Sequence, residues 1–229
     1  MQIIKHLITF FLVVAFPALA IDSGTIEIFS DTVLNSNLVI PEGTTYIIRP
    51  GVTLSFDGYW GIQVRGQLKV QGRADAPVIF KAADWNKKNG VVAWRGVDVL
   101  GKEAVVSLKH CRVEGAYRNL LWGASPQIDS CTFVGNYYGL FCMDNAAPMI
   151  RGTLFNKNRI AVMVDGAAPV LHDVVIRENQ LGLQCASGCA VITGSTSIDG
   201  NENDRRTESF SDRKIPKPRQ LWDALLQMY

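Results

Sequence analysis

A pattern that returns every 21 or 22 residues constrains this 229-residue chain more than any single motif. Ser125-Pro126-Gln127-Ile128-Asp129-Ser130-Cys131-Thr132-Phe133 is followed by Gly135-Asn136-Tyr137-Tyr138-Gly139-Leu140. The same order returns in Ala147-Pro148-Met149-Ile150-Arg151-Gly152-Thr153-Leu154-Phe155, followed by Lys157-Asn158-Arg159-Ile160-Ala161-Val162. It returns again in Ala168-Pro169-Val170-Leu171-His172-Asp173-Val174-Val175-Ile176, with Glu178-Asn179-Gln180-Leu181-Gly182-Leu183 after it. An upstream copy, 108 to 120, has Ala116 where the Asn should stand, and a degraded copy runs from Val191 to about Asn203.

Inside each copy the apolar residues alternate: Ile128 and Ser130, then Cys131 and Phe133, then Leu140 and Cys142. A period of two means strands with those positions turned inward. Three short strands per repeat, separated by Gly and Asn, exclude helical repeats. They predict an all-β solenoid whose windings stack through parallel strands about 4.8 Å apart. Like residues then meet: Phe133, Phe155 and Ile176 in one inner column, and Leu140, Val162 and Leu183 in another. Asn136, Asn158 and Asn179 form a turn column in which each amide bonds the next winding.

The motif P-x-I-x-x-C-x-F…N-x-x-G-L resembles the right-handed parallel β-helix repeat family, the pectin-lyase-like superfamily. Residues 38–43, 48–54, 61–70, 76–80 and 94–99 are similar to the opening coils of exported bacterial members. The resemblance spans roughly residues 25 to 203 and implies a single-stranded right-handed β-helix of about eight coils. It implies little about task, because such scaffolds carry lyases, hydrolases, binding proteins and spacers alike.

Lys5 and His6, the apolar run 7–16 and Ala18-Leu19-Ala20 read as a signal peptide cleaved before Ile21. The expected destination is the periplasm or the extracellular space. That run is shorter than the roughly 20 residues that span a bilayer, so no transmembrane segment is expected in the mature chain. Five cysteines (Cys111, Cys131, Cys142, Cys185, Cys189) follow, without a C-x-x-C pair. They read as buried apolar fillers, with a disulfide across Cys185-Ala-Ser-Gly-Cys189 as the alternative. The 23 basic and 21 acidic residues leave a charge of +2, too balanced for a nucleic-acid partner.

The expected domain runs from 21 to 203, with Ile21 to Asn37 covering its N-terminal end. Residues 204–229 read as a charged linker and a short amphipathic helix, with Leu221, Trp222, Leu225 and Leu226 on one face. That helix either folds back on the last coil or docks an envelope partner.

Several groupings are candidates for chemistry. Asp144 and Asp165 hold the same place in consecutive repeats. Stacked, one would hinder the other's ionisation, as suits acid/base work or a cation, although Asp is also a routine turn residue. Lys109, Asp129, Arg151 and His172 should line up on an outward face, as a solvated charge ladder or a sugar-acid stripe with His172 carrying a proton. Tyr117, Tyr137 and Tyr138, with Trp122, are nearby stacking candidates. Asp199, Asn201 and Asn203 begin like a calcium loop, but Asp204 stands where Gly is needed and Phe210 where Glu is needed. Calcium is thus the sole cofactor candidate. Gly96 to Lys102 matches most of a P-loop but is followed by Glu103 and flanked by strands, which rejects it.

Among catalytic signatures of the family, the Asp pairs and Gly-His-Gly of polygalacturonases are missing, as is the Trp-Ile-Asp-His of pectate lyases. The Arg-x-Pro-x-x-Arg of those lyases has only a tail variant, Lys214 to Arg219, with Lys for Arg. The sequence therefore predicts a non-catalytic β-helix that binds glycan or an envelope protein, or serves as a structural component of the envelope. A lyase or hydrolase of acidic glycans, using Asp144, Asp165, Arg151 or His172, is the alternative.

Overall fold

The computed structural model describes residues 24–84 and 93–207. Within them twenty-four strands follow one another, numbered here in chain order, and they form three eight-stranded parallel sheets. β1 (Thr25–Ile28), β2 (Thr32–Leu34) and β3 (Leu38–Ile40) each begin one sheet, and every strand from the fourth to the twenty-first pairs with those three places before and after it. The chain is a parallel β-solenoid of about eight coils. No helix occurs among the described residues. Residues 221 to 226, read as helical, lie outside them.

The repeat spacing sets the register. Phe133 pairs with Phe155 and Phe155 with Ile176, and Leu140, Val162 and Leu183 pair in the same way. The Phe133 and Phe155 rings stack with centroids 5.0 Å apart. All six side chains are buried in one continuous core that runs from Ile40 to Cys185. Burying apolar side chains in this way contributes roughly 1.5–3 kcal/mol each, which offsets much of the cost of ordering so short a winding.

The Asn column forms a hydrogen-bonded ladder. Asn158 Nδ2 donates to Asn179 Oδ1 at 2.9 Å, Asn136 Nδ2 donates to Asn158 Oδ1 at 2.9 Å, and the backbone N–H of each donates to the same oxygen. Asn201 adds a fourth rung, its Oδ1 accepting from Asn179. At the other end Ala116 gives only its backbone N–H to Asn136. There the Trp94 indole, stacked 4.5 Å from Phe56, donates to the Glu114 carbonyl.

Four expectations change. Ser130 does not face inward: it is exposed at the corner between the first two sheets, with φ of 54°, and the alternation restarts at Cys131. The segment up to Asn37 is not a separate cover, because β1, β2 and β3 already form the first winding. Its outer edge leaves Ile26, Phe29, Val33 and Val39 exposed. The boundary at 203 falls inside structure, since β24 (Asn203–Thr207) pairs with β21 (Leu181–Ser187). All five side chains of β24 are exposed, and besides the backbone pairing the Asp204 carboxylate accepts hydrogen bonds from Asn201. Finally, the cysteines divide: Cys185 and Cys189 form a disulfide, while Cys111, Cys131 and Cys142 are buried thiols.

Candidate functional site

The residue after each ladder Asn cannot share its inward direction, because side chains alternate along extended backbone. Tyr137, Arg159, Gln180 and Glu202 therefore form an outward strip at the corner between the second and third sheets. Their N–H groups donate one winding back, Tyr137 to Ala116, Arg159 to Asn136, Gln180 to Asn158 and Glu202 to Asn179. Tyr117 extends the strip upstream, its N–H bonded to the Trp94 carbonyl. A groove of about 470 Å³ runs along this strip, lined by Tyr137, Arg159, Gln180 and Glu202 with Lys157 and Glu178.

Aromatic rings crowd the upstream end of the groove. Tyr59 lies 6.4 Å from Tyr117, Tyr117 5.3 Å from Tyr137, Tyr137 4.8 Å from Tyr138, and Tyr138 5.4 Å from Phe141. Tyr59 is exposed and the other tyrosines are half-buried. The Arg159 guanidinium sits 4.8 Å from the Tyr137 ring centroid, a cation–π distance. Such a strip presents apolar ring faces beside hydroxyl, guanidinium, amide and carboxylate groups.

Under the aromatic end lies an ion triad. Asp98 is almost fully buried, with Arg118 contacting both of its oxygens at 3.2 Å and Arg95 Nη2 3.2 Å from Oδ2. Burial alone would lower the affinity of the Arg118 guanidinium for its proton, but the Asp98 carboxylate more than offsets this and leaves its pKa above the ordinary value. Two guanidiniums around one carboxylate fix the backbone beneath Tyr117.

The other candidates sit elsewhere. Lys109, Asp129, Arg151 and His172 do pair in register along the outer face of the first sheet, with Thr193 next. Among the described residues no ion pair joins two of these four. His172 Nε2 lies 3.2 Å from Asp173 Oδ2, and its Nδ1 lies 3.1 Å from Thr193 Oγ1. This stripe and the tyrosines are on opposite sides of the winding, so the expected single patch is in fact two. Trp122 is buried and its indole donates to Asp144 Oδ2 at 2.6 Å, which removes it from the stacking set.

Asp144 and Asp165 do not stack. Asp165 pairs with Met143, and Asp144 belongs to a turn in which it and Asn145 both have left-handed φ, 56° and 61°. That turn takes up the extra residue of the 22-residue winding, so identical sequence places become different structural ones. The calcium reading does not suit the turn at Asp199: Asn201 Oδ1 is engaged in the ladder, Asp199 Oδ2 accepts from Ser197, and Asn203 starts β24. The Asp204 carboxyl is held below its ordinary range by hydrogen bonds from the Asn201 side chain and backbone.

Sequence reasoning missed Tyr59, Arg159 and the groove. The signal was present, as the residue following each Asn in the repeat defines the strip. Compared with known proteins, the chain matches no family model and no curated protein. What its architecture defines is a class, the parallel β-solenoids, and the groove at its corner is the site from which a function can be argued.

Proposed function

We propose that this chain is an exported, non-catalytic right-handed β-helix of the pectin-lyase-like type that binds carbohydrate along the corner groove. One observation carries the reading: a file of tyrosines, partly open to solvent, leads into a groove edged by Arg159, Gln180 and Glu202. Sugar rings offer apolar C–H faces and a rim of hydroxyls, which ring faces and planar hydrogen-bonding groups complement. Because the strip follows the winding axis with one residue per coil, it suits an extended oligosaccharide rather than a single ring.

A glycan array probed with the protein tests this. Tyr137→Ala is expected to weaken binding of any captured glycan about tenfold, roughly 1.4 kcal/mol, with an unchanged melting temperature. Arg151→Ala, on the far side, should bind as the parent does. Capture of no glycan, or equal binding by Tyr137→Ala, overturns the proposal. Cleavage of polygalacturonate or alginate that is lost in Asp165→Asn would favour the enzymatic alternative.

A further inference from the structure

The groove holds its charges in two separate groups. Lys157 and Glu178 belong to one wall, Tyr137, Arg159, Gln180 and Glu202 form the other, and the Asn ladder is the floor between them. Backbone bonds fix the register. The Lys157 N–H donates to the Glu178 carbonyl one winding on, while Arg159, Gln180 and Glu202 each donate one winding back. Both cations therefore share one winding, and the two carboxylates occupy the two windings that follow. Along the axis the groove runs from aromatic rings to a double cation and then to acids.

These polar groups are unspent. Exposed cations elsewhere meet carboxylates, as Arg49 does with Glu27 at 2.7 Å and Arg73 with Asp75 at 3.0 Å. Among the described residues the side chains of Lys157, Gln180 and Glu202 make no hydrogen bond or ion pair. The Arg159 guanidinium has the Tyr137 ring alone, and Glu178 has only Arg177 at 3.9 Å. The floor has nothing left to offer a ligand, since Asn158 Oδ1 and Nδ2 are engaged by the ladder and the Phe133 carbonyl. Polar recognition falls to the walls. A guanidinium lying over a ring keeps its edge N–H groups for a carboxylate or sulfate.

We infer, resting on the glycan reading above, that the saccharide this groove takes is zwitterionic. One ring carries an anionic substituent and sits at Lys157 and Arg159. The next, about 4.8 Å along the axis, carries a free amine and sits at Glu178, while a neutral ring lies on the tyrosines. Glu202 prolongs the acidic seat by one winding. A chain of acidic sugars would set like charges against Glu178 and Glu202, and a chain of amino sugars would do the same at Lys157 and Arg159. Screening over about 8 Å at physiological salt lets neighbouring windings act nearly separately, so each charge is matched where it lies. An acid followed by an amine satisfies both groups at once.

Isothermal titration calorimetry with four synthetic trisaccharides tests this. The first is glucose, glucuronate and glucosamine in that order; the others carry an acetylated amine, glucose for glucuronate, or both changes. The zwitterionic member should bind about tenfold tighter than each of the other three. Glu178→Gln should bring it to the level of its acetylated form, and Lys157→Gln with Arg159→Gln to the level of the form without glucuronate. These exposed substitutions should leave the melting temperature unchanged, and Tyr137→Ala should weaken all four ligands. Equal binding of the four, or tightest binding by a neutral or singly charged member, overturns the inference and leaves the glycan reading standing if Tyr137→Ala weakens it. No binding of any member overturns the inference too, while the array alone decides the glycan reading.

Discussion

Replacing Asn158 with alanine tests whether the Asn ladder, and not only the apolar core, holds the windings together. The Asn158 side chain is 2% exposed and makes four hydrogen bonds. Its Oδ1 accepts from Asn136 N and Nδ2 at 3.0 and 2.9 Å, and its Nδ2 donates to the Phe133 carbonyl and Asn179 Oδ1 at 3.0 and 2.9 Å. Alanine leaves one buried group with no partner, the Asn136 N–H, while the Phe133 C=O keeps its place in the parallel ladder that pairs Phe133 and Val134 with Phe155 and Asn156. Asn136 Nδ2 keeps the Val113 carbonyl, and Asn179 Oδ1 keeps the Asn158 N–H. An orphaned buried group costs about 1–3 kcal/mol, so the expected loss is about 2 kcal/mol. Asn201→Ala removes an equivalent rung at the half-buried end, where water replaces the missing partners, and should cost about 1 kcal/mol. Asn158→Asp adds a signed control. Its carboxylate would face two acceptor oxygens, so its folded-state pKa rises above the unfolded value of about 3.9. The penalty is therefore absent below that value and grows as pH rises, and the stability gap to the parent should narrow between pH 7 and pH 4. Urea unfolding followed by far-UV circular dichroism reads all three. A loss under about 1 kcal/mol for Asn158→Ala, or equal losses at Asn158 and Asn201, would refute the reasoning.

Three further outcomes are expected. Gly96→Ala should cost at least about 3 kcal/mol in urea unfolding, because its Cβ would lie 1.7 Å from the Arg118 carbonyl oxygen at a φ of +111°. Gly101→Ala, also left-handed but with open space around it, should cost only about 1 kcal/mol. Burial pushes the Cys142 thiol well above its ordinary range, and a hydrogen bond with Cys131 followed by burial does the same for Cys111. The unfolded chain then loses these protons first, so stability holds below about pH 9 and falls above it by about 1.4 kcal/mol per pH unit for each thiol. Cys142→Ala should remove one thiol's share of that slope in unfolding curves taken at successive pH values. A thiol-reactive dye should label no described cysteine in the folded protein and three after denaturation without reductant, since the Cys185–Cys189 bond withholds two.

The inner columns were legible because a repeat of fixed length states register as well as strand content, so Phe133 had only Phe155 to meet. What was lost lies at the corners. At Ser130 and Asp173 a left-handed residue turns the chain between sheets, and counting in twos across it assigns the wrong face. At Asp144 one extra residue shifts the spacing, and aligning by the prolines hides that shift. The tyrosines were noticed but placed beside the charge stripe, because a linear list of outward residues does not say which of three faces each one occupies. The low exposure of Leu120, Trp122 and Met163 on the outer face of the third sheet also had its sign. Leu120-Leu121-Trp122, Leu140 to Met143 and Ala161 to Val164 are unbroken apolar runs, as expected of strands buried on both sides.

Since every described winding touches only the ones directly before and after it, the length of this protein is a modular quantity. Copying one whole turn, from Pro148 to Ala168 for instance, would add a rung of amide, a ring for the stack and one more place along the groove, while leaving all the old neighbours matched. Growth by duplication would thus lengthen the binding strip in steps of about 4.8 Å, and the reach of the site would be written in the number of copies.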